Sequence, residues 1–200
     1  MKKSLKRLAI DTATKYIYLA LMIDDKEVSS IYQEGDNNHS VTIIPLLAEL
    51  LKNAEISLQD LDEIIVGVGP GSYTGVRIGV TVGKMIVYLN NINIYQVSSL
   101  ALLASTSKQK YILPLIDARR NNAFMAFFNQ EKKKLTYLKN DTLENIEAFK
   151  SNIIEKYEVI EFGKPNLKKI IDSNLMVKIE DIHNLTPNYL RITEAERNLK

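Results

Sequence analysis

The chain has no cysteine and no tryptophan, and only two histidines in 200 residues. Without thiols it forms no disulfide, no zinc–thiolate or iron–sulfur site and no cysteine nucleophile, and a reducing compartment suits it. His39 and His183 stand far apart, and neither HExxH nor HxxxH occurs, so the helical ligand patterns of zinc enzymes are missing. No apolar run approaches the roughly 20 residues that span a bilayer. The apolar stretch after Arg7 is interrupted by Asp11, too early for a secretion signal. These absences point to the cytoplasm. Charge of one sign is also scarce. Lys and Arg number 26 against 24 Asp and Glu, well short of the cationic stripe that alone marks a nucleic-acid binder.

Glycine is rare too, with eight in all, yet six fall in residues 67–83, GVGPGSYTGVRIGVTVG. A phosphate loop of the GxxxxGK[ST] kind fails because no lysine appears before Lys84. A dinucleotide GxGxxG would need glycine at Ser72 or Thr74. A GxSxG nucleophile elbow at Ser72 fails at Pro70 and Thr74. Free N–H groups in a glycine-rich turn still leave generic anion binding open. The spacing says more. Gly71, Gly75, Gly79 and Gly83 recur every fourth residue, on one side of a helix. Three helical glycines forgo about 3 kcal/mol of propensity, which close backbone contact must offset. That contact is either the chain's own sheet or a partner.

The order of elements suggests a duplication. Strands at 8–10, 16–23 and 27–33, a helix over 40–54, a strand at 62–68, the glycine helix over 74–89 and a strand at 94–97 form a βββαβα-type unit. Pro45 lies inside the first helix, which implies a late start or a kink there. After a short helix at the junction, strands at 111–116, 123–129 and 135–138, a helix from Thr142 to about 156 and a strand at 159–162 repeat the order in shortened form. The implied division is 1–97 and 98–200. The two first-half helices are unusually apolar. On the glycine helix the apolar arc covers about 220°, against about 100° for an ordinary surface helix. On the preceding helix Val41, Pro45 and Ala48 extend an already full apolar face. Surplus apolar surface implies burial against another chain, with complete internal burial as the alternative.

Catalytic patterns are sparse. Asp11 ends the first strand in Ile10-Asp11-Thr12-Ala13-Thr14. That is where actin-like and sugar-kinase-like ATPases hold metal and phosphate, but Ala13 stands where such loops use glycine. Asp11, Thr12 and Thr14 are thus candidates for nucleotide binding, with a hydrogen-bonded turn as the competing role. His39 fits a helix start. Asp117-Ala118-Arg119-Arg120 closes a second-half strand as a local ion pair or small basic patch, and Lys132–Lys134 reads as a solvated hairpin tip.

Taken together, LAIDTAT, HSVTIIPLLAELL, GPGSYTGVRIG, VSSLALLA, IDARRNNAF and PNYLR, in that order along the chain, resemble the TsaB (YeaZ) family. Asn121-Asn122 depart from the Gly-Glu-like pair often found there, and the second half is short. The resemblance implies a two-lobed actin-like (ASKHA) fold. It implies a non-catalytic scaffold, without cofactor or metal of its own, for a TsaD-like transferase that places a threonylcarbamoyl group on a tRNA adenosine. Implied partners are the TsaD-like paralog through a four-helix bundle, a TsaE-like ATPase, tRNA through the complex, and a second copy when alone. The interface residues expected on this basis are Val41, Pro45, Ala48, Gly75, Val76, Gly79, Val80 and Gly83. The alternative is an ATP-dependent phosphotransferase or ATPase acting through Asp11.

Overall fold

Alternate residues along β1 (Lys6–Asp11) and β2 (Tyr16–Ile23) serve two different cores. Leu8, Ile10, Ile17, Leu19 and Leu21 join one buried cluster, and Ala9, Tyr18, Ala20 and Met22 join another. This is the two-residue period of a strand with both faces covered. The computed structural model describes residues 4–35 and 38–190. In it β3 (Lys26–Glu34) completes an antiparallel meander with β1 and β2. Next come α1 (His39–Asn53), β4 (Glu63–Gly67), α2 (Tyr73–Asn90) and β5 (Asn93–Val97). β4 lies parallel to β1, and β5 parallel to β4. α1 and α2 both cover the face that carries Leu8 and Ile10.

The second half repeats this plan. α3 (Ser99–Ala104) leads to a meander of β6 (Tyr111–Asp117), β7 (Asn122–Glu131) and β8 (Lys134–Asn145). α4 (Ile146–Lys150) is followed by β9 (Glu158–Ile160), which lies parallel to β6 as β4 lies to β1. α5 (Leu167–Asp172) and β10 (Val177–Ile179) complete the series. The duplication expected from element order is therefore present in the sheet pairings. The wholly buried α3 sits at the junction, its residues sharing one core with Tyr18 and Ala20 of the first sheet and Ala126 and Phe128 of the second.

Three local expectations need correction. The division at 97/98 is crossed by the end of the chain. β10 pairs with β5, so the first sheet reads β10-β5-β4-β1-β2-β3 and the second β8-β7-β6-β9. Leu185 is fully buried in the first lobe's core. The helix expected from Thr142 begins instead at Ile146, because β8 stays paired with β7 as far as Asn145. The Asn145 side chain then caps α4, accepting from the Glu147 and Ala148 N–H groups. Of the late start or kink expected at Pro45, the late start does not occur. α1 runs from His39 through the proline, which lies on the exposed side where water can satisfy the Val41 carbonyl left without its usual donor. Other boundaries fall where expected. Ser72 caps α2 by accepting from the Gly75 N–H at 3.2 Å, and Asn91, at φ 51°, closes it in a left-handed cap.

The returning tail is structural. Leu185→Ala is expected to cost about 2–5 kcal/mol in urea unfolding. A loss below about 0.5 kcal/mol would show that the segment only rests on the surface.

Candidate partner surface and interlobe cleft

The glycine stripe of α2 faces inward. Thr12, with no exposed surface, pushes its hydroxyl into the helix, donating to the Gly75 carbonyl at 2.6 Å and accepting from the Gly79 N–H at 3.0 Å. The hydroxyl thus bridges an i→i−4 step of the helical ladder. A side chain at Gly75 would run into the Thr12 carbonyl, and a Cβ at Gly79 would stand 2.5 Å from the Thr12 hydroxyl. The turn before α2 closes on the same segment, with Ser72 N–H donating to the Ala13 carbonyl at 2.7 Å. The expectation that Gly75, Val76, Gly79, Val80 and Gly83 meet a partner is therefore corrected. All five are buried against their own chain, since a stripe without Cβ atoms is what lets a strand end and its turn reach the helix backbone.

The first helix turns its two sides in opposite directions. Val41, Ile44, Pro45 and Ala48, at i, i+3, i+4 and i+7, are all exposed, with Val41 at 69%. The buried set, Ile43, Leu46, Leu47, Leu50 and Leu51, occupies the other side. α2 likewise shows a second apolar edge, with Met85, Tyr88 and Leu89 exposed beyond the half-buried Ile78. Because both helices cover the same face of the sheet, their outward sides look the same way. Sequence reasoning missed Ile44, Met85 and Leu89 as surface residues; a helical wheel shows the width of an apolar arc, not which part the sheet takes.

Asp11 lies under the cleft between the lobes, almost wholly buried. Its Oδ1 accepts from the Ser99 hydroxyl at 2.8 Å and the Ala13 N–H at 3.2 Å, while Ser99 Oγ accepts from Gly69 N–H at 3.1 Å. One carboxylate thus ties β1, the glycine turn and α3 together. Burial pushes its pKa up to about 6, partly offset by these hydrogen bonds. Thr14 borders the cleft and accepts from the Tyr16 N–H, and its carbonyl accepts from His39 Nε2 at 3.0 Å. His39 is buried at the first turn of α1, the helix-start role expected of it. His183 is exposed in the one-turn helix Ile182–Asn184. Among the described residues no three His, Asp or Glu side chains converge as a metal site, and no helix is long and apolar enough to cross a membrane.

The cleft itself encloses about 1370 Å³, walled by the Ala13–Tyr16 turn and the start of α2 on one side and by Leu115–Arg120 and Phe162 on the other. The Asp117–Asn122 turn folds back tightly. Arg119, Arg120 and Asn121 all have positive φ, at about 1–2 kcal/mol each for an ordinary side chain. Arg119 N–H donates to Asp117 Oδ1, and Asn122 Nδ2 to the Arg120 carbonyl. At the opposite rim Tyr189 stacks on Tyr73 with centroids 5.0 Å apart, and Arg77 lies 4.2 Å above the Tyr73 ring. Tyr189 belongs to the PNYLR motif, whose Arg191 lies outside the described residues.

Two outcomes test this geometry. Gly79→Ala is expected to destabilise the fold by about 1–3 kcal/mol through overpacking, although alanine favours a free helix by about 1 kcal/mol; stabilisation in urea unfolding would contradict the seating of Thr12. For Asp11 the folded pKa lies above the unfolded one, so the fold gains from protonation at low pH. That gain fades as pH rises from about 3.8 to about 6. Asp11→Asn should therefore be more stable than wild type by about 2–3 kcal/mol at pH 8, with the difference shrinking toward pH 4. A difference that does not vary with pH would place the acid in a less buried setting.

Comparison with known proteins agrees with this architecture. The family model of TsaD, the tRNA N6-adenosine threonylcarbamoyltransferase, matches residues 32–186. The tRNA threonylcarbamoyladenosine biosynthesis protein TsaB of Bacillus subtilis is 31% identical over 94% of this chain and 95% of its own length. TsaB of Escherichia coli is 31% identical over 62% of this chain and 55% of its own length. Among solved structures, YeaZ from Pseudomonas aeruginosa superposes with a TM-score of 0.78 at 19% identity, covering 93% of this chain and 100% of that one. The fold is the two-lobed actin-like one, and the chain belongs to the TsaD family and, within it, to the TsaB proteins of tRNA threonylcarbamoyladenosine biosynthesis.

Proposed function

We propose that this chain is the accessory, non-catalytic subunit of a tRNA threonylcarbamoyltransferase, docking a TsaD-like paralog through the outward side of α1 and α2. The observation that carries the reading is the exposed apolar stripe Val41, Ile44, Pro45 and Ala48, on a helix whose other side already fills the core. An apolar stripe with this spacing is what a partner helix packs against. Met85 and Leu89 of α2 widen the surface. The buried glycines then act indirectly, by fixing which side of α2 turns outward. The same face would pair with a second copy when the paralog is absent. A TsaE-like ATPase and tRNA would join through the assembled complex.

The competing reading, nucleotide phosphotransfer through Asp11, finds little support in the geometry. Thr12 is enclosed by α2, and Asp11 is taken up by Ser99 and Ala13. Calorimetry with Mg-ATP that showed binding lost in Asp11→Ala would favour it.

Ile44→Glu combined with Ala48→Glu should abolish co-purification with the TsaD-like protein and leave the melting temperature of the isolated chain within a few degrees of wild type. Undiminished co-purification would remove this face from the interface.

A further inference from the structure

We propose that the interlobe cleft is a binding trench for a single-stranded RNA segment, with Arg119 and Arg120 holding phosphates and Phe162 stacking a base. The proposal rests on the reading of this chain as a tRNA-modification subunit, and it places direct RNA contact on the chain itself.

Four observations converge. First, the two arginines stand side by side on the turn that overhangs the cleft, and both are exposed. Neither guanidinium has a hydrogen-bond or ion-pair partner among the described residues. The other cations nearby are occupied. Lys15 pairs with Glu34 at 3.1 Å, and Arg77 donates to the Tyr189 hydroxyl. Second, three successive positive-φ residues hold the arginines in place. The same sign recurs at Lys132 and Lys133 on an outer hairpin, so the conformation alone singles out nothing. What distinguishes Arg119 and Arg120 is that side-chain hydrogen bonds fix their turn at the wall of a cleft. Third, aromatic faces border both walls. Phe162 of the second lobe is 66% exposed, with no ring or cation stacked on it among the described residues, whereas Tyr189 is already taken up by Tyr73 and Arg77. Unpaired guanidinium groups sharing a cleft with the open Phe162 ring are the elements of a single-strand groove, in which phosphates meet charge and a base meets a ring. Fourth, the cleft's volume of about 1370 Å³ exceeds the roughly 300–1,000 Å³ of a small-molecule site. The carboxylates at the cleft wall, Asp117 and Glu161, keep the net charge low. Affinity is therefore expected to be modest and shared between stacking and the arginine pair.

The test is fluorescence anisotropy of the full chain with a fluorescein-labelled single-stranded RNA of about 15 nucleotides, at about 50 and 200 mM salt. Arg119→Ala combined with Arg120→Ala should weaken binding at least about tenfold and reduce the salt slope by about 1.4, two phosphates at about 0.7 each. The double lysine variant should restore most of the slope. Phe162→Ala should weaken binding by about fivefold or more, as loss of one stacked base does, with the slope unchanged. No binding by wild type, equal binding by the double alanine variant, or displacement by Mg-ATP as effective as by unlabelled RNA would each overturn the proposal. Co-purification of the same variants with the TsaD-like protein is read in parallel. RNA binding lost with the partner retained supports a separate RNA site. Failure of wild-type RNA binding with the partner retained defeats the trench but leaves the docking role standing.

Discussion

The Thr12 hydroxyl, wedged between the Gly75 carbonyl and the Gly79 N–H, sets the position of everything around it. A hydroxyl donates once and accepts besides, so it can bond both ends of one helical step only if it reaches the helix backbone. It reaches that far because neither Gly75 nor Gly79 has a side chain in the way. Once it is there, the end of β1 cannot slide along α2, and the following residues come to rest against the turn that precedes the helix. The Ser72 N–H then takes the Ala13 carbonyl, and Asp11 turns toward Ser99 on α3. The first lobe, the glycine turn and the junction helix are thereby locked by groups within a few residues of one strand end. The local propensity lost at the glycines is offset by hydrogen bonds and close packing that no bulkier residue would allow.

That lock determines what α2 shows to the outside. With Gly75, Val76, Gly79, Val80, Gly83 and Val87 facing inward, the rotation of the helix about its axis is fixed, and Met85, Tyr88 and Leu89 must face out. α1 has no such lock. Ile43, Leu46, Leu47, Leu50 and Leu51 fill the core, while Val41, Ile44, Pro45 and Ala48 remain on the other side. Surface on this scale, aligned on one side of the lobe and poor in charge, is costly to leave in water and suits a partner helix.

Much of the architecture could be read along the chain. The strands at 8–10 and 16–23, the glycine helix and the duplicated element order are all local signals, and they survive in the fold. The misreadings share a cause. Thr142 followed by acidic residues looks like a helix start, yet β7 offers a ready-made edge, and cross-strand pairing carries β8 on to Asn145. α5 and β10 carry weak local patterns. β10 exists because β5 lies open to it across the lobes, a fact no window of sequence contains. The glycine stripe was legible as a contact at backbone distance but not as to its partner, since a strand end of the same chain and a foreign helix leave the same mark. Arg119 and Arg120 were visible as a basic pair; their place over a cleft needed the two lobes brought together.

The buried acid shows how the two lobes divide their roles. At neutral pH an ionised Asp11 weighs against the fold, because burial raises its pKa to about 6. A turn that only needed holding could use asparagine without that cost, so the geometry of the turn alone does not account for the acid. What the carboxylate adds is a strong acceptor for two donors from separate elements, Ala13 N–H and Ser99 Oγ. With those bonds made, the acid faces inward beneath the cleft. On the second lobe's turn the Arg119 and Arg120 guanidinium groups have no hydrogen-bond or ion-pair partner among the described residues. They stay exposed at the cleft wall, while the first lobe's carboxylate is committed to Ala13 and Ser99.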